Sequence, residues 1–237
     1  MSLAVALEGC DGVVLAVDSR GTIGDPRGLT AVNDTHQKLF RLTRWAGICI
    51  FGAAEIGVEL VRRIQAEIAS AGESEARVEQ IEERVRGIAR REYGNWFSSF
   101  QIPQRPALGL LLAGICSDSR PRTILFVSQL DFAPQVAVSG VMMGGIPQYA
   151  IYLTHRFYDA SQSVTKLQNL AEYLISETAT QDQKVGGPVK MARISNQNGY
   201  EDVSLQEVDV VQSRNRAQSK SLREHFYRED TDDAQGA

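Results

Sequence analysis

Ser2, Asp18, Arg20 and Lys38 are the residues of this chain whose types and spacing could do nucleophilic chemistry. A serine hydroxyl is a poor nucleophile and needs a base. If Met1 is removed, Ser2 carries its own base, a free α-amine. An unperturbed α-amine has a pKa of about 7.7–8.0, so a useful fraction is neutral near neutral pH. An ammonium held nearby would favour the neutral amine and ease loss of the hydroxyl proton. A carboxylate paired with that ammonium would orient it. Such a set attacks carbonyl carbon. Taken singly, each residue has an ordinary reading. Asp18 and Arg20 could be a surface pair after a strand, Lys38 a solvated charge at a strand start, and Ser2 a small residue after the initiator.

Composition narrows the setting. The chain has 237 residues, 43% hydrophobic and 23% charged, enough for one large domain or two small ones with a core that needs no staples. With 29 acidic against 25 basic residues, the formal net charge of -4 gives no electrostatic reason to expect nucleic acid. Cys10, Cys49 and Cys116 are scattered and odd in number, which argues against a disulfide framework and suits a reducing compartment. No two stand at metal-ligand spacing, so neither a metal nor a cofactor is expected. No apolar run is long enough to span a membrane, and the N-terminus lacks the basic and small-residue marks of a signal peptide. A cytoplasmic location is the expectation.

The elements that must position these residues are legible from periodicity. Ser2 to Leu7 and Val13 to Val17 are apolar on both faces and are joined by Glu8-Gly9-Cys10-Asp11-Gly12, a hairpin buried within a sandwich. Gly21 to Asp34 reads as a polar loop. Lys38 to Leu42 and Gly47 to Phe51 are short strands. Leu60, Val61, Ile64 and Ile68 mark one helix, stopped at Gly72, and Val78, Ile81, Val85 and Ile88 mark a second. Strands are expected over Leu108–Ile115, Thr123–Gln129 and Gln135–Ser139, and helices over Pro147–Tyr158 and Val164–Thr180. A closing hairpin follows at Pro188–Ile194 and Gly199–Leu205. The domain is expected to span 2–211, with 212–237 a polar, flexible tail. The order fits an α+β fold: a four-layer αββα sandwich of two antiparallel sheets flanked by helix pairs. An open mixed sheet has the same periodicity.

Together these residues resemble the proteasome β-subunit family of N-terminal nucleophile hydrolases. The opening Ser2-Leu3-Ala4-Val5-Ala6-Leu7 and the run Asp11 to Val17 with Asp18-Ser19-Arg20 match the family's nucleophile strand and its Asp-x-Arg without a gap. Lys38-Leu39-Phe40 is similar to the family's Lys-Leu-Phe segment, after a longer loop. Gly52 after Ile48-Cys49-Ile50-Phe51, and Asp182 with Gly186-Gly187, fit two further family turns. The resemblance runs from Ser2 to about Leu205 and is strongest over the first fifty or so residues.

The resemblance implies an endopeptidase of the threonine type with Ser2 as nucleophile. Lys38 would be the electrostatic partner of Ser2, and the Asp18 carboxylate would sit between Lys38 and Arg20. The Gly52 N–H would be the oxyanion donor, and Asp182 would support the amine. Thr22 would hold substrate main chain, and Ile50, Ala54 and His36 would line the first specificity pocket; the alternative is that Ile50 and Ala54 are core and His36 a loop residue. Rings of subunits, peptide or unfolded-protein substrates and an ATPase or cap partner are implied too. The sequence departs from the family where Gly145 and Val185 stand in place of two supporting serines. A non-catalytic ring subunit, or an amidase acting on a small molecule, are the alternatives. That only Met1 precedes the first strand favours the enzyme.

Overall fold

The first strands form because the sequence offers branched and aliphatic residues on both faces of a hairpin. The computed structural model describes residues 2–25 and 28–228. Its strands are β1 (Leu3–Gly9), β2 (Gly12–Val17), β3 (Gly21–Asp25), β4 (Gly28–Asn33), β5 (Leu39–Arg41), β6 (Ala46–Gly52), β7 (Leu108–Ile115), β8 (Pro121–Val127), β9 (Gln135–Val136), β10 (Val141–Gly145), β11 (Lys190–Ser195) and β12 (Gly199–Asp202). Its helices are α1 (Ala54–Ser70), α2 (Val78–Trp96), α3 (Gln148–Phe157), α4 (Val164–Gln181) and α5 (Leu205–Phe226).

Two five-stranded sheets result, in the orders β10-β1-β2-β11-β12 and β5-β6-β7-β8-β9, with β3 and β4 as a separate ribbon. Every ladder among the described residues is antiparallel. Alternation along each strand makes the layers. Leu3, Val5 and Leu7 of β1 face outward onto α3 and α4 with Ala150, Leu167, Ala171 and Leu174. Ala4 and Ala6 face inward, against Cys49, Leu111 and Ala113 of the second sheet. That sheet turns Ile48, Ile50, Leu110 and Leu112 outward onto Leu60, Ile64, Ile81 and Val85 of α1 and α2. The fold is therefore α+β with the expected αββα order. Small residues on the inner face of β1 let the sheets approach closely around the N-terminal strand.

Three segments differ from the sequence reading. Residues read as a polar loop carry the β3–β4 ribbon, pairing Gly21 with Asn33 and Thr22 with Val32. Its composition is that of a loop because a two-stranded ribbon outside the sheets buries little. β10 was hidden because Val141 to Gly145 is short and glycine-rich; its pairing with β1 holds it. Residues 212–226 of the polar segment continue α5, which reaches Phe226 and buries only Val208, Val211 and Asn215, while 229–237 of the expected tail lie outside the described residues. So narrow a buried stripe leaves little apolar signal. The start of α5 did have a signal: Ser204 accepts a hydrogen bond from the Glu207 N–H, the serine half of a Ser-x-x-Glu cap.

Candidate functional site

The β1–β2 register places Ala4 opposite Val17, so Ser2 and Asp18 come to the same end of the first sheet. The Asp18 carboxylate accepts the Leu3 N–H at 3.1 Å, which fixes it beside Ser2. Lys38 precedes β5 in the second sheet, and its carbonyl accepts the Ile50 N–H at 2.9 Å. Its side chain crosses to the first sheet. Nζ donates to Ser2 Oγ at 2.7 Å, to both Asp18 oxygens at 3.2 Å and to the Arg20 carbonyl at 2.5 Å. Ser2, Asp18 and Lys38 are 2%, 0% and 1% exposed, so an ion pair is held in the interior against a hydroxyl.

Electrostatics follow from that burial. Burial lowers the proton affinity of Lys38, opposed by the charge and hydrogen bonds of Asp18. Burial raises the Asp18 carboxyl, opposed by Lys38 and by the N–H groups of Gly186 and Leu3. Taken together the two shifts favour a neutral pair. The carboxylate, however, receives N–H bonds from Leu3, Arg20 and Gly186 as well as the ammonium. So many donors on two oxygens keep it ionised, and the shift that bears on chemistry is that of Lys38. Burial also pushes the adjacent Cys49 thiol well above its ordinary value, so it stays protonated and does not compete as a nucleophile.

The proteasome subunit family matches residues 2–194, which is most of the chain and all of the residues just described. The chain belongs to the proteasome subunit family. No curated relative matches it closely enough to compare.

For a proteasome subunit, three expectations take a different form. Arg20 hydrogen-bonds to Asp18 through its backbone N–H, at 3.1 Å, and its side chain acts on that carboxylate only through charge. Its guanidinium forks onto Asp34 instead, Nε to Oδ1 at 2.7 Å and Nη2 to Oδ2 at 2.9 Å. The reason is that Asp18 is fully buried with its oxygens already taken, whereas Asp34 offers a free carboxylate in the bidentate geometry arginine prefers. Asp182 caps α4, and its carboxylate accepts the Lys184 N–H at 2.8 Å within its own turn rather than bonding to Ser2. Ile50 is 0% exposed and packs in the core between the second sheet and α1.

The remaining expected residues lie around the same end. Gly52 closes β6 opposite Leu108 with φ +92°, and a Cβ there would meet the Ala107 carbonyl at 2.2 Å, so only glycine fits. Ala54 opens α1 just beyond it, partly exposed. Thr22 sits on β3, two residues past the Arg20 carbonyl that holds Lys38. The His36 ring covers Gly21 and lines a cavity with Leu39, Met191 and Leu205, while the His36 backbone N–H donates to the Ser19 carbonyl at 3.1 Å. Among the described residues no cluster of His, Cys, Asp and Glu could hold a metal, and no helix is long and apolar enough to cross a membrane.

The two positions that lack a family serine are structural. Gly145 has φ +94°, and a Cβ would lie 1.8 Å from the Ser2 carbonyl, which accepts the Ile146 N–H at 2.9 Å. Val185 is fully buried against the outer core of the first sheet. Sequence reasoning missed Asp34, Ser19 and the Gly186 N–H. Asp34 stands in a polar Asn-Asp-Thr run where nothing in type or spacing marks it, and a backbone donor leaves no signal at all.

Proposed function

We propose that this proteasome-family chain is a catalytic peptidase subunit whose nucleophile is Ser2, made the first residue of the mature protein by removal of Met1. The observation that carries the reading is the 2.7 Å hydrogen bond from the buried Lys38 ammonium to Ser2 Oγ. A buried charge aimed at an ordinary structural serine would be costly without return, since desolvating an ammonium costs several kcal/mol (about 3–5 when a buried pair is broken). Aimed at a nucleophile, it stabilises the developing alkoxide in a site without water screening.

In this mechanism the Ser2 α-amine takes the hydroxyl proton as Oγ bonds to the peptide carbonyl carbon. The tetrahedral oxyanion is stabilised by the Gly52 N–H. The proton passes from the amine to the leaving nitrogen, the C–N bond breaks, and an ester on Oγ remains. Water, deprotonated by the same amine, hydrolyses the ester. Lys38, oriented by Asp18, keeps positive charge beside Oγ throughout. Thr22 holds substrate main chain, and Ala54 borders the pocket for the side chain at the cleaved position. Subunits assemble into rings that enclose the sites, act in the cytoplasm on peptides or unfolded protein, and receive substrate from an ATPase or cap.

A second reading, a non-catalytic ring subunit, draws on Gly145 and Val185, which supply no hydroxyl to the amine. Intact mass of the purified protein, before and after treatment with a β-lactone or vinyl sulfone, separates the two. The enzyme reading requires loss of Met1 and a single adduct on Ser2. Retained Met1 in labelled protein would overturn the amine-base mechanism, and a processed chain that takes no label would favour the non-catalytic subunit.

A further inference from the structure

Backbone groups of Arg20 and Gly186 hold Lys38 Nζ and its partner Asp18. The Arg20 carbonyl accepts from Lys38 Nζ, and the Arg20 N–H donates to Asp18 Oδ2. Arg20 thus bridges the two halves of the buried pair with its main chain. Its guanidinium donates to the carbonyls of Gln183 at 3.1 Å and Val185 at 3.5 Å, and lies so close to Gly186 that a Cβ there would be 2.6 Å from Cζ. Gly186 is the residue whose N–H donates to Asp18 Oδ2 at 3.2 Å. What orients the guanidinium is Asp34, through the forked pair described above. Asp34 also stands on the segment leading to Lys38, tied to the end of β2 because its carbonyl lies 2.9 Å from Ser19 Oγ and because the His36 N–H donates to the Ser19 carbonyl.

We propose that Asp34 is a positioning residue: through its ion pair with Arg20 it fixes the Arg20 carbonyl and the Gly186 N–H, and so sets where the Lys38 ammonium stands relative to Ser2 Oγ. It touches neither the nucleophile nor the substrate. The pair is partly exposed, with side chains 23% and 38% accessible, so it contributes little to stability in its own right. Its consequence is geometric, and displacement of a reacting group by about 1 Å costs on the order of a hundredfold in rate. Asp34 also acts at longer range, since its negative charge favours the protonated form of Lys38. The other charged or titratable groups facing that ammonium are Asp18 and Cys49.

The effect on rate rests on Ser2 being the nucleophile; the effect on Lys38 does not. The test uses full-length protein in five forms: wild type, Asp34→Asn, Asp34→Glu, Ser2→Ala and Asp34→Asn combined with Ser2→Ala. Two readings are taken on each. One is the second-order rate of adduct formation with a β-lactone by intact mass. The other is the titration of the Lys38 ε-carbon by NMR. Asp34→Asn is expected to slow labelling about tenfold to a hundredfold and to move the Lys38 midpoint down, with Asp34→Glu recovering most of both. The same substitution made in Ser2→Ala is expected to move the Lys38 midpoint equally. A Lys38 midpoint unmoved by Asp34→Asn would overturn the proposal whether or not any form labels. Labelling of Asp34→Asn at the wild-type rate would overturn it too. Wild type that takes no label while the midpoint shifts as expected would instead sink the nucleophile reading and leave the clamp standing.

Discussion

Lys38 Nζ lies 2.7 Å from Ser2 Oγ across a sequence separation of 36 residues, and the contact joins the two sheets of the sandwich. β1 delivers the serine from one sheet and the residue before β5 delivers the lysine from the other. The alanines on the inner face of β1 let the sheets pack closely enough for the side chain to span the gap. Packing thus sets the site geometry.

Lys38→Ala is the direct probe of that contact. It should abolish labelling by electrophiles and hydrolysis of peptides. It should also destabilise the fold by about 3–5 kcal/mol, because Asp18 would be left buried and charged without its ammonium. Ser2→Ala should lose labelling just as completely while melting close to wild type. Labelling of Lys38→Ala at the wild-type rate would show the lysine to be structural.

Gly145→Ser tests whether the absent family hydroxyl is simply replaceable. The backbone at φ +94° costs a residue with a Cβ about 1–2 kcal/mol, and the Cβ would collide with the Ser2 carbonyl at 1.8 Å. The variant should therefore lower the melting temperature and reduce Ser2 labelling rather than increase it. Faster labelling at unchanged stability would mean that the β10–β1 junction relaxes to accept the hydroxyl.

The legibility of this protein tracks how locally each feature is encoded. β1 and β2 announce themselves as runs apolar on both faces, α1, α2 and α4 because wide apolar faces repeat at about 3.6, and β7 runs from Leu108 to Ile115 as its apolar stretch suggests. The β3–β4 ribbon and α5 bury too little to leave such a pattern. In the site, Ser2, Asp18 and Lys38 were recognisable because their types and spacing resemble those of one family. The direction of the Arg20 side chain was not, because Asp34 wins it by offering both carboxylate oxygens where Asp18 has none spare. A competition of that kind is decided in three dimensions between residues 14 apart.

The Asp34–Arg20 pair has a pH signature. Its hydrogen bond to Arg20 holds the Asp34 carboxyl below its ordinary value of 3.8. A carboxyl with a depressed value in the folded state adds stability at pH above 3.8, and that contribution is lost as pH falls from there through the folded value. With this much exposure the contribution is about 0–1 kcal/mol. Melting curves of wild type and Asp34→Asn should therefore differ slightly at neutral pH and converge in strong acid. A gap that widened as pH fell would contradict the assignment.

Truncation after Val211 tests how far α5 belongs to the fold. A polar tail could be removed freely, but Asn215 is 8% exposed and donates through Nδ2 to the Asn169 carbonyl at 2.9 Å and to Glu172. Glu172 is fully buried on α4, where Ser176 donates to its other carboxylate oxygen. Gln212 in turn donates to Ser176 at 3.2 Å. Removing residues 212–237 would strip one donor from a buried glutamate and one from the serine that holds it. Loss of a partner from a buried polar group costs about 1–3 kcal/mol, more when the group is charged. The truncated protein should therefore fold but melt measurably lower. Asn215→Leu in the full chain, which removes the same donor while keeping the helix, should reproduce much of the loss. If the truncation melted at the wild-type temperature, the part of α5 after Val211 would contribute nothing to the core, and Glu172 would have found water in place of Asn215.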